Sequence, residues 1–206
     1  MIKRYLPHFL AITYFIFSFI FVINPVSREV WFAEIIPVLL VYFALLLTYR
    51  YFRFSNLAYV LMSMWIFWHT IGGHYTFSNV PFEWVTDLFG ADRNHFDRVG
   101  HFFVGLYAFP VAELLLKIKY CSLNLAISYG LFFIMSIAAA YEIIEWLYAV
   151  IAGGPAGIDF LGSQGDIWDA QKDMLLDTLG AVTSLILFFF YRPDRNTIYM
   201  QIPVFA

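Results

Sequence analysis

Charge is the first thing this chain lacks. Only 13% of its 206 residues are Asp, Glu, Lys or Arg, where a soluble globular domain carries about 25%. With 62% hydrophobic and 21% aromatic residues, this shortage excludes a soluble domain and implies an integral membrane protein with almost no soluble part. Cysteine is nearly missing as well. Cys121 stands alone, which excludes an internal disulfide and leaves a plain buried thiol near a helix end. No two histidines are four residues apart, so there is no H-E-x-x-H zinc motif. A G-x-S-x-G elbow, a phosphate-binding loop and a C-x-x-C pair are also absent. Ser78 and Ser163 lack any context that would activate them. No basic stripe suggests a nucleic-acid partner, and there are no repeats or low-complexity segments.

Long apolar runs dominate instead. A membrane span needs about 20 mostly apolar residues, and six windows qualify: about 5–23, 32–49, 54–72, 98–118, 125–151 and 169–191. The expected fold is all-α, a single integral membrane domain over 1–206 built as a bundle of six transmembrane helices. The start, MIKRYLPHFLAITYFIFSFIFVINP, has the basic head and apolar body of a signal peptide. Its apolar part is long and no small-residue cleavage site follows, so it reads as a retained span. The loop 73–97 holds VPFEWVTDLF, expected as a short interfacial helix around 81–89 between Pro81 and Gly90. The loop 152–166 carries Gly153, Gly154, Gly157, Gly162 and Gly165, which suggests tight turns or backbone close to a bound group.

Positive charges set the expected orientation. With both termini cytoplasmic, the inner set is Lys3, Arg4, Arg50, Arg53, Lys117, Lys119, Arg192 and Arg195, and the outer set is Arg28, Arg93, Arg98 and Lys172. This bias fits the positive-inside rule. It also sorts the acids, because only Glu113 and Asp194 then fall on the cytoplasmic side. His69, His74, His95 and His101 join the remaining acids toward the outer face.

The acids repeat at helical spacing. Asp166, Asp169, Asp173 and Asp177 in GDIWDAQKDMLLDTLGA form one stripe that descends into the last span. A helix dipole suffices to explain Asp166 and Asp169 but does not reach Asp177. Acids at such depth are costly and mark function. Glu142 and Glu145 in YEIIEW share a face three residues apart on the fifth span. Asp97, Arg98 and His101 stand at the mouth of the fourth span, where a carboxylate one turn from a histidine can orient it, or can simply cap the helix. His69 ends the third span, beside His74, and is either a packing residue or a ligand.

If these groups converge, negative charge is in surplus. Lys172, Arg98, Arg93 and Arg28 are the available outer bases. A divalent metal (Mg, Mn, Ca or Zn) is the simplest compensation, and shared protons are the alternative. Glu142, Glu145, Asp169, Asp173 and Asp177 are the expected metal ligands. His101, oriented by Asp97, is the expected acid or base, with Arg98 meeting a phosphate and His69 in reserve.

The segments HTIGGHY, NHFDRVGHFFVG, YEIIEW and GSQGDIWDAQKDMLLDTLGA, in this order, resemble the YjdF family of small bacterial inner-membrane proteins. The resemblance covers nearly the whole chain and implies a six-helix protein of the bacterial plasma membrane without supplying an activity. The last two spans also look like VanZ-like proteins, which are linked to glycopeptide resistance. They share an acid in one span followed by D-x-x-x-[DN]-x-x-G-A, with Asp177 here where asparagine often stands.

The function expected from the residues is a metal-dependent hydrolase or phosphoryl-group transferase acting on a lipid or lipid-linked head group at the exoplasmic face. One alternative is a cation- or proton-linked transporter, although the inner halves of the last three spans offer few polar groups for a path. The other is a non-catalytic structural or partner-binding membrane protein whose acids are satisfied by hydrogen bonds between helices.

Overall fold

The computed structural model describes residues 2–90 and 92–196. The side chains of Lys3 and Arg4, assigned above to the cytoplasmic side, lie outside the described residues. Among the described residues every regular element is helical: α1 (Ile2–Phe21), α2 (Arg28–Thr48), α3 (Asn56–Tyr75), α4 (Glu83–Phe89), α5 (Phe96–Gly105), α6 (Ala108–Lys117), α7 (Leu123–Ala152), α8 (Gly154–Leu161) and α9 (Asp169–Tyr191). Short 3₁₀ turns follow α3 and α9. Four stretches are long and apolar enough to cross a membrane: Arg28–Thr48, Phe96–Lys117, Leu123–Ala152 and Asp169–Arg195. Each of the six windows read from the sequence falls on helix. α1 is counted only over its apolar part, Tyr5–Phe21, and α3 is rich in tryptophan, tyrosine and histidine, which lowers its hydropathy.

Two windows differ in detail from the expectation. The fourth is two helices with a break at Leu106–Tyr107. Pro110 explains it: the ring has no N–H to give and clashes with the carbonyl four residues back, that of Leu106. The glycine-rich loop contains a helix, α8, with Pro155 in its first turn and Phe160 packed 4.1 Å from the Tyr148 ring. The loop helix α4 forms where VPFEWVTDLF predicts it, closed by Gly90 in the left-handed conformation at φ 61°, with Trp84 and Leu88 exposed.

The helices assemble as two groups. α1 and α2 pack on α3, while α5, α6, α7 and α9 pack together, and α3 against α5 joins the groups. The most intimate pair is α5 with α9, for a reason visible in the sequence. Gly105 and Gly180 face each other. A Cβ on Gly105 would overlap the Asp177 carbonyl oxygen and lie 2.6 Å from the Ala181 nitrogen, and one on Gly180 would overlap the Phe102 carbonyl and lie 3.0 Å from Gly105 Cα. Two bare backbones therefore touch one turn below His101 and at the level of Asp177. A second glycine pair does comparable work on α3. Gly73 admits Glu34 of α2, whose Cβ would be 2.9 Å from an added Cβ, and Gly72 admits the folded-back ring of Phe77.

The two ends of the bundle differ in chemistry. At one end Glu113 is fully buried but completely satisfied. It accepts from the Ser55 backbone N–H (2.6 Å) and the Ser55 hydroxyl (2.7 Å), and Lys117 Nζ lies at 2.6 Å. Ser55 in turn caps α3. This acid is a structural clip beneath α3. The acids at the other end are not satisfied in this way.

Candidate functional site

His101 sits one turn inside α5, buried at the centre of the acidic end. The α5–α9 glycine contact draws Asp177 to it, and Nδ1 of His101 donates to Asp177 Oδ2 at 2.9 Å. The opposite nitrogen, Nε2, is 3.6 Å from Asp97 Oδ1 and 3.9 Å from Glu142 Oε1. Single ligand atoms of Asp97, His101 and Asp173 lie within 4.8 Å of one another. Asp177 is 0% exposed and Asp173 3%, yet Asp173 Oδ1, Asp177 Oδ1 and Glu142 Oε1 have no hydrogen-bond partner. Buried polar atoms are normally paired, so three unpaired carboxylate oxygens around one imidazole set this cluster apart from the satisfied Glu113 at the other end.

The remaining expected residues separate into two further groups. Asp166 and Asp169 are held by arginine. Asp169 is bound by Arg93 Nη1. Arg98 Nη2 donates to Asp166 at 2.6 Å and to Asp169 at 3.2 Å, and Lys172 reaches Asp166 at 2.5 Å. Arg98 Nε is 3.8 Å from Asp173 Oδ1, which makes Arg98 the bridge between this clamp and the His101 cluster. His69 is not brought to that cluster. Its Nε2 lies 2.9 Å from Glu34 Oε2, out of line for a hydrogen bond, and Glu34 also accepts from the Tyr141 hydroxyl at 2.9 Å. His74 packs on Phe21 and bonds its carbonyl at 2.9 Å. Glu145 is buried and, with Asp97, His101, Asp177, His69 and Tyr141, lines one end of a cavity of about 480 Å³.

Sequence reasoning passed over Glu34 and Tyr141. Glu34 is 2% exposed, and as the deeper of the two acids in the apolar α2 it gave a depth signal like that of Asp177. It was missed because it has no acidic neighbour at helical spacing. The Tyr141 ring lies 6.4 Å from His69 and 6.5 Å from His101, between the two histidine–carboxylate pairs.

The arginine clamp responds to pH. Hydrogen bonds from Lys172 and the Trp168 N–H hold Asp166 below its ordinary 3.8. Burial, then the charges of Arg98 and Arg93, hold His95 below its ordinary 6.5, and Arg98 Nη1 lies 3.2 Å from His95 Nδ1. Both groups bind protons more readily when unfolded, so both contributions are intact above their ordinary values. On acidification the His95 contribution is lost below pH 6.5 and that of Asp166 only below 3.8. Melting temperature followed against pH should fall in two steps, and Asp166→Asn should shrink the lower one. A single step, or stability rising as pH falls, would contradict the clamp.

Two comparisons with known proteins bear on this geometry. The model of the DUF2238 family, described as "Predicted membrane protein", matches residues 6–194. The chain belongs to the DUF2238 family. A relative is the "Inner membrane protein YjdF" of Escherichia coli (strain K12), 38% identical over 164 residues, which cover 78% of each chain. The region that the family model matches, 6–194, takes in the whole His101 cluster and the arginine clamp. No solved structure matches the chain significantly. Family membership thus supports a membrane protein of the inner-membrane type and assigns no activity to the site.

Proposed function

We infer that this DUF2238 protein is a metal-dependent enzyme acting on a lipid or lipid-linked head group, by hydrolysis or phosphoryl-group transfer. One observation carries the proposal. Asp177 holds His101 through Nδ1, which turns the lone pair of Nε2 toward Asp97 and Glu142, next to the unpaired Asp173 Oδ1. A carboxylate fixing one imidazole nitrogen while the other faces acids is the common support of a metal-bound histidine. His101, Asp97, Asp173 and Glu142 would hold the ion, with Asp177 orienting and Glu145 facing the cavity beside them. A ligand set of oxygens with one imidazole suits Mn²⁺ or Zn²⁺ and admits Mg²⁺ or Ca²⁺. When bound, such an ion supplies an activated water and neutralises a phosphate. Arg98 then offers its unpaired Nε beside Asp173 to an anionic group, and Glu145, which lines the cavity beside the ligands, is positioned to take a proton. Asp169 and Asp166 serve this arrangement by fixing Arg98 and Arg93.

The membrane setting follows the charges. We read the chain as one domain of six spans with α4 in the interface, the Arg50, Arg53 and Lys117 end cytoplasmic and the His101 end exoplasmic. A phospholipid or polyprenyl phosphate head group lies at that depth.

Metal content is the direct test. Protein purified without chelator should carry about one divalent ion per chain by elemental analysis, and Asp173→Asn should remove it. Glu113→Gln, at the opposite end, should leave it unchanged. Metal absent from the wild type after incubation with Mn²⁺ and Zn²⁺, or content indifferent to Asp173, refutes the assignment. Proton flux in proteoliposomes abolished by Glu142→Gln would instead support a transporter.

A further inference from the structure

The cavity that receives the carboxylates does not end with them. From Glu145 it continues along α7 past Ala138 and Ile134 to Phe133, twelve residues or about 18 Å at 1.5 Å per residue. The far end is lined by Thr48, Phe54 and Leu114, none of which is ionisable. Its volume of about 480 Å³ lies within the range of small-molecule sites, about 300–1,000 Å³. α2 forms the facing wall through Val41 and Ala44. Among the described residues α2 and α7 line the groove without packing closely on each other, so it is open sideways between them. Ala44 and Ala138 narrow neither wall.

Three features identify the occupant. The groove is apolar over most of its length, and an apolar void does not hold water. It is longer than one leaflet of hydrocarbon, about half of 30 Å, so it accepts a chain in extended form. Its carboxylates and imidazoles stand only at one end, around His101. An amphiphile with one long hydrocarbon chain satisfies all three, whereas a partner helix, about 10 Å wide with its side chains, matches neither the slot between two helices nor the buried acidic end.

We propose that the groove between α2 and α7 holds one hydrocarbon chain of a membrane lipid and delivers that lipid's head to the His101 cluster. The second half of this statement rests on the enzyme proposed above. The first half stands on the groove alone. Recognition is then by tail and head together, and a soluble phosphate ester with the same head group is a poor substrate.

The test uses full-length protein reconstituted in vesicles of palmitoyl-oleoyl phosphatidylethanolamine and phosphatidylglycerol, released intact for native mass spectrometry. Wild type is expected to retain one lipid per chain. Ala44→Trp and Ile137→Trp, both at partly open positions that tolerate bulk, should lower the retained fraction at least tenfold with melting temperature unchanged. Asp173→Asn should keep the lipid while losing metal. Equal retention in wild type and both tryptophan variants overturns the groove assignment. So does a dimer that the tryptophan variants convert to monomer, because the groove is then an interface between copies. Lipid lost in Ala44→Trp from a protein that never binds metal leaves the groove standing and refutes only the enzyme.

Discussion

Valine at Gly180 is expected to destabilise the protein by at least about 3 kcal/mol, the upper end of typical overpacking costs. The reason lies in what the new side chain would meet. Its Cβ overlaps the Phe102 carbonyl and approaches Gly105 Cα. These are backbone atoms in the last turns of α5 and cannot turn aside as a flexible side chain would. α5 and α9 must separate, and with them His101 and Asp177, whose 2.9 Å bond spans the same crossing. In a chain of this size each kcal/mol moves the melting temperature by about 2–4 °C, so a drop of about 6–12 °C is the expected reading in detergent. Total stability is only about 5–15 kcal/mol, which makes poor accumulation a second expected symptom. Ala140→Val, on the exposed side of α7, should change almost nothing. A Gly180→Val protein that melts like the wild type would mean that α5 and α9 do not touch there.

Asn at 177 is expected to separate structure from chemistry. The amide has the size of the carboxylate but can donate, so it can hold the wrong tautomer of His101, with the proton on Nε2 facing Asp97 and Glu142. That nitrogen could no longer ligate. Loss of such an orienting partner usually costs about 10–100-fold in metal affinity, and this range is expected by calorimetric titration with Mn²⁺ or Zn²⁺. The melting temperature of the metal-free protein should stay close to wild type. His101→Ala should lose the same affinity, and the double variant should be no worse than His101→Ala alone, because Asp177 acts through the ring. Additive losses would mean that Asp177 touches the ion itself.

The sequence made some of this visible and hid the rest for physical reasons. The helices were legible because apolar runs of this length have few other uses. The break after Gly105 was also legible in principle, since Pro110 forbids a continuous helix, but the apolar run masks it. α8 was hidden by its glycines, whose effect at the ends of a helix is easily read as loop. At the site, spacing put Asp166 and Asp177 on one expected helix stripe, but α9 begins only at Asp169 and Asp166 lies in the non-helical segment before it. Tertiary structure divided them: Arg93 from the segment before α5 and Arg98 from its first turn claim the upper pair, while His101 claims Asp177. Spacing along one helix cannot report which neighbour takes which acid. The pairing of Glu34 with His69 and Tyr141 joins α2, α3 and α7, a contact that no spacing within one helix reports.

The length of α7 has a consequence for the groove it lines. Thirty residues extend about 45 Å, against a hydrocarbon core of about 30 Å. The excess must be taken up by tilt or by projection beyond the bilayer. α2, the opposite wall, has 21 residues and, at about 31 Å, fits the core as it stands. The two walls therefore meet the bilayer on different terms. A change in bilayer thickness therefore adds to a mismatch that α7 already carries and α2 does not, and the two walls of the slot have different slack with which to meet it.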